Sequence, residues 1–138
     1  MRTMLMALFT TFLSLSPADA AASAGPPMVR IAEIEVDPAH LDAYKAFLAE
    51  EQEAAVRLEP GVLMLHSVAL ADHPNQIRLL EVYADHAAYK AHIASPQFQK
   101  YKTSTANMVT ALKLVETDPI LLCAKAGLAG ATPTFACR

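Results

Sequence analysis

The sequence predicts an α+β fold of the ferredoxin-like type, with element order β-α-β-β-α-β and a four-stranded antiparallel sheet. Two observations predict this class. Four short runs are rich in Val, Ile and Leu, a composition typical of strands. Helical patterns separate the first run from the second and the third run from the fourth. The predicted domain spans residues 28–118, and both of its helical regions pack on one face of the sheet.

The first strand is predicted over residues 29–36, and a long helix follows it. The strand ends at Asp37-Pro38, where the Asp carboxylate can cap a helix and Pro fits the first helical turn. The helix continues to about Leu58, and Pro60-Gly61 stops it. Its apolar residues recur at three- and four-residue spacing, as expected for one buried face: Leu41, Tyr44, Phe47, Leu48, Ala55 and Leu58.

The second half of the domain is predicted as a hairpin, a broken helical region and a last strand. Polar turn residues between the hairpin strands and a Ser-Pro pair between the helices mark the breaks. The predicted elements are strands over 62–70 and 77–83, a short helix from the Asp85 cap to about His92, a helix over 97–108 and a strand over 111–116. Residues 119–138 lack periodicity and are predicted to form a tail.

The N-terminal residues 1–24 are predicted to be a secretory signal peptide. A positive start at Arg2 precedes an apolar run, and small residues with A-x-A spacing follow it. The apolar run is shorter than the roughly 20 residues that a membrane span needs. A buried N-terminal helix is the alternative interpretation. The sequence therefore predicts an exported protein, periplasmic or secreted, without a stable membrane anchor.

Composition excludes several kinds of partner. The net charge is -3 and no long basic run is present, so we expect no nucleic-acid partner. The chain has four Gly in all and no glycine fingerprint for ATP or dinucleotides. We expect no metal site either, because His86 and His92 lie six residues apart and no H-x-x-x-H pattern occurs.

Both cysteines, Cys123 and Cys137, lie in the predicted tail. Export to an oxidising compartment favours a disulfide between them. A bond closing a loop of this size stabilises a fold by about 3 kcal/mol in the chain-entropy model. Two unpaired thiols on a tail are the alternative.

The predicted sheet is apolar on both faces. In the second strand, two-residue alternation places Val62, Met64, Val68 and Leu70 on one face and Leu63, Leu65 and Ala69 on the other. The chain offers only one helical layer, so one apolar face is left uncovered. Such a face is usually buried against a second copy. We therefore expect a homodimer formed through the sheet face.

The stretch EVYADHAAYKAHIASPQFQKY, residues 81–101, mixes His, Tyr and a carboxylate with small apolar residues. His92 is the best candidate base, since a neutral imidazole accepts a proton near neutral pH. Glu81 shares an apolar strand face with Tyr83 and needs a partner there, for which His92 is a candidate. His66 could point into a pocket or into the dimer interface. For each of these residues a structural role is the alternative.

Three patterns together resemble one family. EPGV (residues 59–62) precedes a strand, E-x-Y (Glu81 and Tyr83) ends one, and AYKAHIASPQF (residues 88–98) crosses the helical break. The combination resembles the antibiotic biosynthesis monooxygenase (ABM) domain, a family of the dimeric α/β barrel superfamily. The resemblance covers about residues 28–118. It implies a ferredoxin-like dimer with a pocket in each subunit, between the sheet and the helices.

The resemblance also implies a reaction and its residues. Oxygenases of this family often act on electron-rich dihydroxy-aromatics with dioxygen and without metal, flavin or haem. The family's E-x-W corresponds to Glu81-Val82-Tyr83, its helix His to His92, and its S-P-x-F segment to Ser95, Pro96 and Phe98. The chain thus carries Tyr83 where the family has Trp, and contains no Trp.

The resulting prediction is a cofactor-independent monooxygenase that acts on a small quinol-like substrate. His92 and Glu81 are the predicted catalytic residues, and Tyr83, Phe98 and His66 are the predicted substrate-binding residues. One alternative is a non-catalytic exported dimer that binds a small hydrophobic ligand. Haem handling stays open as another, since a single His can serve as an axial ligand.

Overall fold

The computed structural model describes residues 26–125 and 135–137. The predicted signal peptide lies outside these residues. The ferredoxin-like α+β prediction is confirmed. In chain order the elements are β1 (Met28–Val36), a 3-10 turn (Pro38–His40), α1 (Leu41–Leu58), β2 (Val62–Ala69), β3 (Gln76–Tyr83), α2 (His86–Ala94), α3 (Pro96–Thr105) and β4 (Val109–Thr117).

The four strands form one sheet in the order β2-β3-β1-β4. Every neighbouring pair is antiparallel, and β1 is central, between β3 and β4. Because β1 is paired on both sides, its alternate residues point firmly to one face or the other. The helix-facing set consists of Met28, Arg30, Ala32, Ile34 and Val36, all of them buried.

The predicted caps at Asp37 and Asp85 are present, and Ser95 adds a third cap that was not predicted from the sequence. The Asp37 carboxylate accepts a hydrogen bond from the Ala39 N–H at 2.9 Å, which starts the 3-10 turn. The Asp85 carboxylate accepts from Ala88 at 2.8 Å, and the Ser95 hydroxyl accepts from Phe98 at 3.3 Å. These side chains satisfy backbone donors that a helix start otherwise leaves unpaired.

The core lies between the helices and one sheet face. Tyr44 and Leu48 of α1 pack with Ile34 of β1 and Leu79 of β3. A second cluster at the other end of the sheet includes Ala55, Val62 and Tyr83. Gly61 lies where β2 approaches α2, since a Cβ added to it would stand 2.4 Å from the Ala88 Cβ.

The predicted facing of β2 was partly wrong. The register shifts between Val62 and Met64, so Val62 pairs with Tyr83 while Met64 pairs with Val82. This bulge puts Val62 and Leu65 together on the helix-facing side, and leaves Met64 and Val68 on the other side. A bulge adds one residue to a strand and reverses the alternation beyond it.

The face of the sheet away from the helices is called the open face here, although Val29 and Val82 on it are buried. Two apolar rows cross it, Met64–Val82–Val29 and Leu80–Ile31–Val115. Leu80 is 37% exposed and Val68 is 61% exposed. A third row is charged, where Glu33 and Lys113 pair at 3.8 Å. Within the described residues, no helix combines the length and apolarity that crossing a membrane would take.

The predicted aperiodic tail contains two short strands. β5 (Cys123–Lys125) pairs with β6 (Phe135–Cys137) in a separate antiparallel ladder. The register places Cys123 opposite Cys137. Opposed residues in such a ladder have Cα atoms about 4.5–5.5 Å apart, a spacing that a disulfide can bridge. The disulfide between these two residues stays a prediction.

Candidate active site

A cavity of about 500 Å³ lies between the helix-facing side of the sheet and the three helices. This volume is in the range of small-molecule sites. Aliphatic side chains form much of the wall, and a group of ionisable and aromatic residues forms the rest. That group consists of Arg30, Glu51, Glu81, Tyr83, Tyr89, His92, Phe98, Tyr101 and Lys102. Four of the five predicted site residues, His92, Glu81, Tyr83 and Phe98, therefore line this cavity.

His92 is held between two carboxylates. It lies in the last turn of α2 and is 3% exposed. Its Nδ1 lies 3.2 Å from both carboxylate oxygens of Glu59. Its Nε2 lies 3.6 Å from Oε1 of Glu51. Gln97 fixes Glu59 from the far side by donating a hydrogen bond of 2.6 Å.

This arrangement selects one tautomer of a neutral His92. A carboxylate accepts a hydrogen bond, so Glu59 favours a proton on Nδ1. Nε2 then carries the free lone pair and faces Glu51. The ring is thus oriented as a proton acceptor whose basic nitrogen lies next to a second carboxyl group.

Glu51 is a buried carboxyl on α1. Among the described residues, its Oε1 has no hydrogen-bond partner. Burial, together with the nearby carboxylates of Glu59 and Glu81, raises the pKa of Glu51 to about 7. A carboxyl group with this pKa exchanges its proton at neutral pH, as a general acid or base must.

Glu81 and Tyr83 form their own pair on β3. The Tyr83 hydroxyl donates a hydrogen bond of 3.1 Å to Oε2 of Glu81. Burial raises the pKa of Glu81, while the Tyr83 hydrogen bond and the charges of His92 and Arg30 oppose that rise. Burial and the Glu81 carboxylate raise the pKa of Tyr83. The suggested partnership of Glu81 with His92 is electrostatic only, and the carboxyl groups in contact with the imidazole are Glu51 and Glu59.

Aromatic rings surround His92. Its ring centroid lies 5.3 Å from that of Tyr83 and 5.0 Å from that of Phe98. Tyr101 continues the series at 6.1 Å from Phe98, and its hydroxyl lies 2.6 Å from that of Tyr44. Such a wall suits a flat aromatic ligand, because rings stack edge to face at these separations.

The structure does not place His66 in the cavity. His66 is exposed and pairs with Leu80, a residue of the open face. Because of the bulge, the helix-facing residue of β2 at this level is Leu65, which lines the cavity.

Sequence reasoning missed Glu51, Glu59 and Arg30. Glu51 continues the buried series of Tyr44, Leu48 and Ala55 at spacings of four, three and four. A carboxylate at a core position of a helix stripe is a recognisable signal. Arg30 is likewise an inward residue of β1. Glu59 follows α1, and its contact with His92 is long-range, so no local pattern predicts it.

Comparisons with known proteins support the family suggested by the motifs. The family model described as antibiotic biosynthesis monooxygenase matches residues 27–104. No curated protein matches the chain. Among the described residues, no group of three or more His, Cys, Asp or Glu side chains could hold a metal ion.

Several solved structures are similar to this chain. One from Bacteroides thetaiotaomicron, assigned to the antibiotic biosynthesis monooxygenases, is 50% identical, with a TM-score of 0.69 over 71% of this chain and 93% of that one. One from Lactobacillus acidophilus, assigned as a monooxygenase, is 27% identical, with a TM-score of 0.63 over 64% of this chain and 42% of that one. One from Nitrosomonas europaea is 22% identical, covers 67% of this chain and 98% of that one, and shares the fold with a TM-score of 0.64. With the family model matching more than half of its length, the chain belongs to the antibiotic biosynthesis monooxygenase family.

Proposed function

We propose that the chain is a cofactor-independent monooxygenase that acts on a small quinol-like aromatic with dioxygen. One observation carries the proposal. His92, oriented by Glu59 and next to the buried carboxyl of Glu51, lies on the wall of a largely apolar cavity that can hold one small aromatic molecule. A base in a dry aromatic-lined site is what this reaction needs from a protein.

The first step is removal of a proton from a substrate hydroxyl. The acceptor is Nε2 of His92, because Glu59 occupies the other ring nitrogen. Glu51 lies 3.6 Å from Nε2 and shares the proton that arrives there. The positive charge that arrives on the ring lies between the carboxyl groups of Glu51 and Glu59, with which it can form ion pairs.

The second step is oxidation of the deprotonated quinol by dioxygen. The quinolate is electron-rich and passes one electron to dioxygen, and the two radicals combine to a ring-bound hydroperoxide after proton uptake. Cleavage of the O–O bond and loss of the ring C–H proton give a hydroxyquinone and water. One oxygen atom enters the product, the other leaves as water, and all four electrons come from the quinol. The proton held by His92 and Glu51 returns to the leaving oxygen.

Tyr83 and Phe98 are proposed as walls that hold the ring beside His92. Both lie near van der Waals contact with the imidazole by their centroid separations. Tyr83 replaces the family Trp with a smaller ring whose hydroxyl is tied to Glu81. A narrower ring at this position leaves room for a substrate with a wider skeleton.

The proposal is tested by oxygen uptake with 1,4-naphthoquinol, after subtraction of the rate without protein. We expect the metal-free and flavin-free protein to accelerate uptake. His92→Ala should lower the protein-dependent rate by about 100-fold or more, within the range for loss of a general base. His86→Ala is the matched control, since His86 is an exposed residue of the same helix and should leave the rate unchanged.

Equal rates for His92→Ala and wild type would contradict the mechanism. If wild type binds the quinol but does not accelerate uptake at all, the protein is a binder of small hydrophobic ligands. A shift of the haem absorption band on addition of haemin, reversed in His92→Ala, would favour haem handling over both.

We also propose that the working form is an exported homodimer joined through the open face. Exposed apolar side chains on that face support the dimer, because a monomer would leave Val68 and Leu80 partly in water. The apolar run and A-x-A spacing of residues 1–24 support export.

A further inference from the structure

Arg30 is a buried cation on the cavity wall that the proposed reaction does not use. Its side chain is 8% exposed and emerges from the central strand of the sheet. The guanidinium carbon lies 4.2 Å from the ring centroid of Tyr89. Arginine at such depth is uncommon unless it is paired.

The hydrogen bonding of Arg30 is incomplete. Among residues 26–125 its one hydrogen bond goes from Nη2 to the carboxylate of Glu116. Its Nε is buried and has no partner there. A guanidinium carries five donors in a planar fork that matches a carboxylate with two parallel bonds. The site therefore has donor capacity that the described chain leaves unused.

Glu116 is a weak competitor for this capacity. Its side chain is 70% exposed, so its own charge is well solvated. An ion pair with a solvent-exposed partner contributes little and is readily exchanged. A ligand carboxylate that enters the cavity can take the fork while Glu116 turns to water.

Other charges around Arg30 determine how strongly it can favour an anionic ligand. Glu81 attracts Arg30 electrostatically, which offsets part of the gain from a ligand anion. Its Oε2 accepts the Tyr83 hydroxyl, and no hydrogen bond joins Glu81 to Arg30 among the described residues. Lys102 also lines the cavity but is exposed. A moderate preference for an anion is expected.

We propose that Arg30 binds an ionised carboxylate carried on the aromatic ring of the substrate, so that the chain selects aryl carboxylates over neutral rings of the same shape. The inference rests on the proposed function in taking this cavity as the substrate site. Arg30 would determine which ligand binds, whereas His92 would take the proton. Arg30 lies at the part of the wall formed by β1 and Tyr89.

Two probes of equal shape isolate the charge: 1-hydroxy-2-naphthoate and 1-hydroxy-2-naphthamide. Neither is a quinol, so calorimetric binding is measured without turnover and separately from oxygen chemistry. Wild type should bind the carboxylate about tenfold more tightly than the amide, because a hydrogen bond to an ionised acceptor is about twice as strong as a neutral one. Arg30→Met should abolish this preference while amide binding persists. Lys102→Met is the matched control cation and should retain it.

A second variant acts in the opposite direction. Glu116→Gln frees the fork of Arg30 and should widen the preference for the carboxylate beyond that of wild type. Equal affinity of wild type for both probes, or a preference that survives Arg30→Met, would overturn the inference. A wild-type preference without any quinol-dependent oxygen uptake would support Arg30 and reject the monooxygenase.

Discussion

The two faces of the sheet carry similar residues in different environments. On the open face, Glu33 pairs with Lys113 at 3.8 Å in a solvated ion pair. On the helix-facing side, Glu81 is half-buried and partial burial raises its pKa. The same contrast separates His66, exposed on β2, from His92, buried between carboxyl groups.

This difference shows that burial, rather than residue type, determines how reactive an ionisable side chain is. A solvated ion pair contributes about 0–1 kcal/mol and its members behave ordinarily. A carboxyl group that loses water holds its proton more tightly and becomes reactive near neutral pH. The helix-facing side of the sheet loses water to the helices of its own chain, whereas the exposed residues of the open face would lose it by contact with a second copy.

The largest expected effect tests the open face. Leu80→Glu puts a charge into the apolar row that Leu80 forms with Ile31 and Val115, and burying an unpaired charge against a second copy is prohibitive. We expect the proposed dimer to dissociate to monomers in light scattering coupled to gel filtration. Val56→Glu, exposed on α1, should leave the dimer intact. A dimer that survives Leu80→Glu would place the interface elsewhere.

The next largest effect concerns the contact between the start of β2 and α2. Gly61→Ala adds a Cβ that would stand 2.4 Å from the Ala88 Cβ, so β2 and α2 must separate. We expect the free energy of unfolding to fall by about 1–3 kcal/mol, as for other overpacked sites. Urea denaturation measures it. The double variant with Ala88→Gly should recover part of the loss, and no recovery would mean that backbone conformation, rather than the contact, makes Gly61 necessary.

A smaller effect is expected for Glu51→Gln, which should increase stability and decrease activity. Its pKa is raised from 4.5 to about 7 by burial, so the folded state favours the neutral form. The destabilising charge therefore develops as pH rises from about 4.5 to 7 and stays at higher pH. Glu51→Gln should raise the free energy of unfolding by about 1–2 kcal/mol at pH 8, and by little near pH 4.5.

The same variant should impair the reaction. Wild-type oxygen uptake should rise as pH passes about 7, because a protonated Glu51 occupies the lone pair of His92. Glu51→Gln should lose this rise and about tenfold in rate at pH 8, a modest share of a general-base contribution. Glu53→Gln, exposed on the same helix, serves as the control. A variant that is more stable yet fully active would show that Glu51 has no part in proton transfer.

The smallest expected effect is at Tyr83. Tyr83→Phe keeps the ring beside His92 and removes the 3.1 Å hydrogen bond to Glu81. Loss of that bond should cost about 1 kcal/mol in unfolding free energy, as for a typical hydrogen bond. Quinol binding should change less than with Tyr83→Ala, which also removes the wall. Equal losses in the two variants would assign the role of Tyr83 to its hydroxyl.

Much of the fold could be predicted from local patterns. The caps at Asp37 and Asp85 and the Pro-Gly stop after α1 each depend on neighbouring residues only, and the structure has each of them. The β2 bulge could not be predicted, because it is defined by the register with β3. The two strands of the tail depend in the same way on each other.

The sequence predicted the site residues that lie within the 81–101 stretch. It did not predict site residues whose contacts are distant in the chain. His92, Glu81, Tyr83 and Phe98 lie within one stretch that the motifs cover, and all four line the cavity. Glu59 meets His92 across 33 positions of the chain. Such a partner is set by how helices pack, which a single sequence does not specify.

The central claim is that the cavity on the helix-facing side of the sheet is a monooxygenase site in which His92 takes the proton. The most direct measurement follows ¹⁸O₂ into the product of 1,4-naphthoquinol oxidation, with metal-free and flavin-free protein, for wild type and His92→Ala. We expect one ¹⁸O atom in the hydroxyl of the hydroxynaphthoquinone made by wild type, no hydrogen peroxide, and little labelled product from His92→Ala. Unlabelled naphthoquinone and hydrogen peroxide in equal amounts from both proteins would contradict this claim.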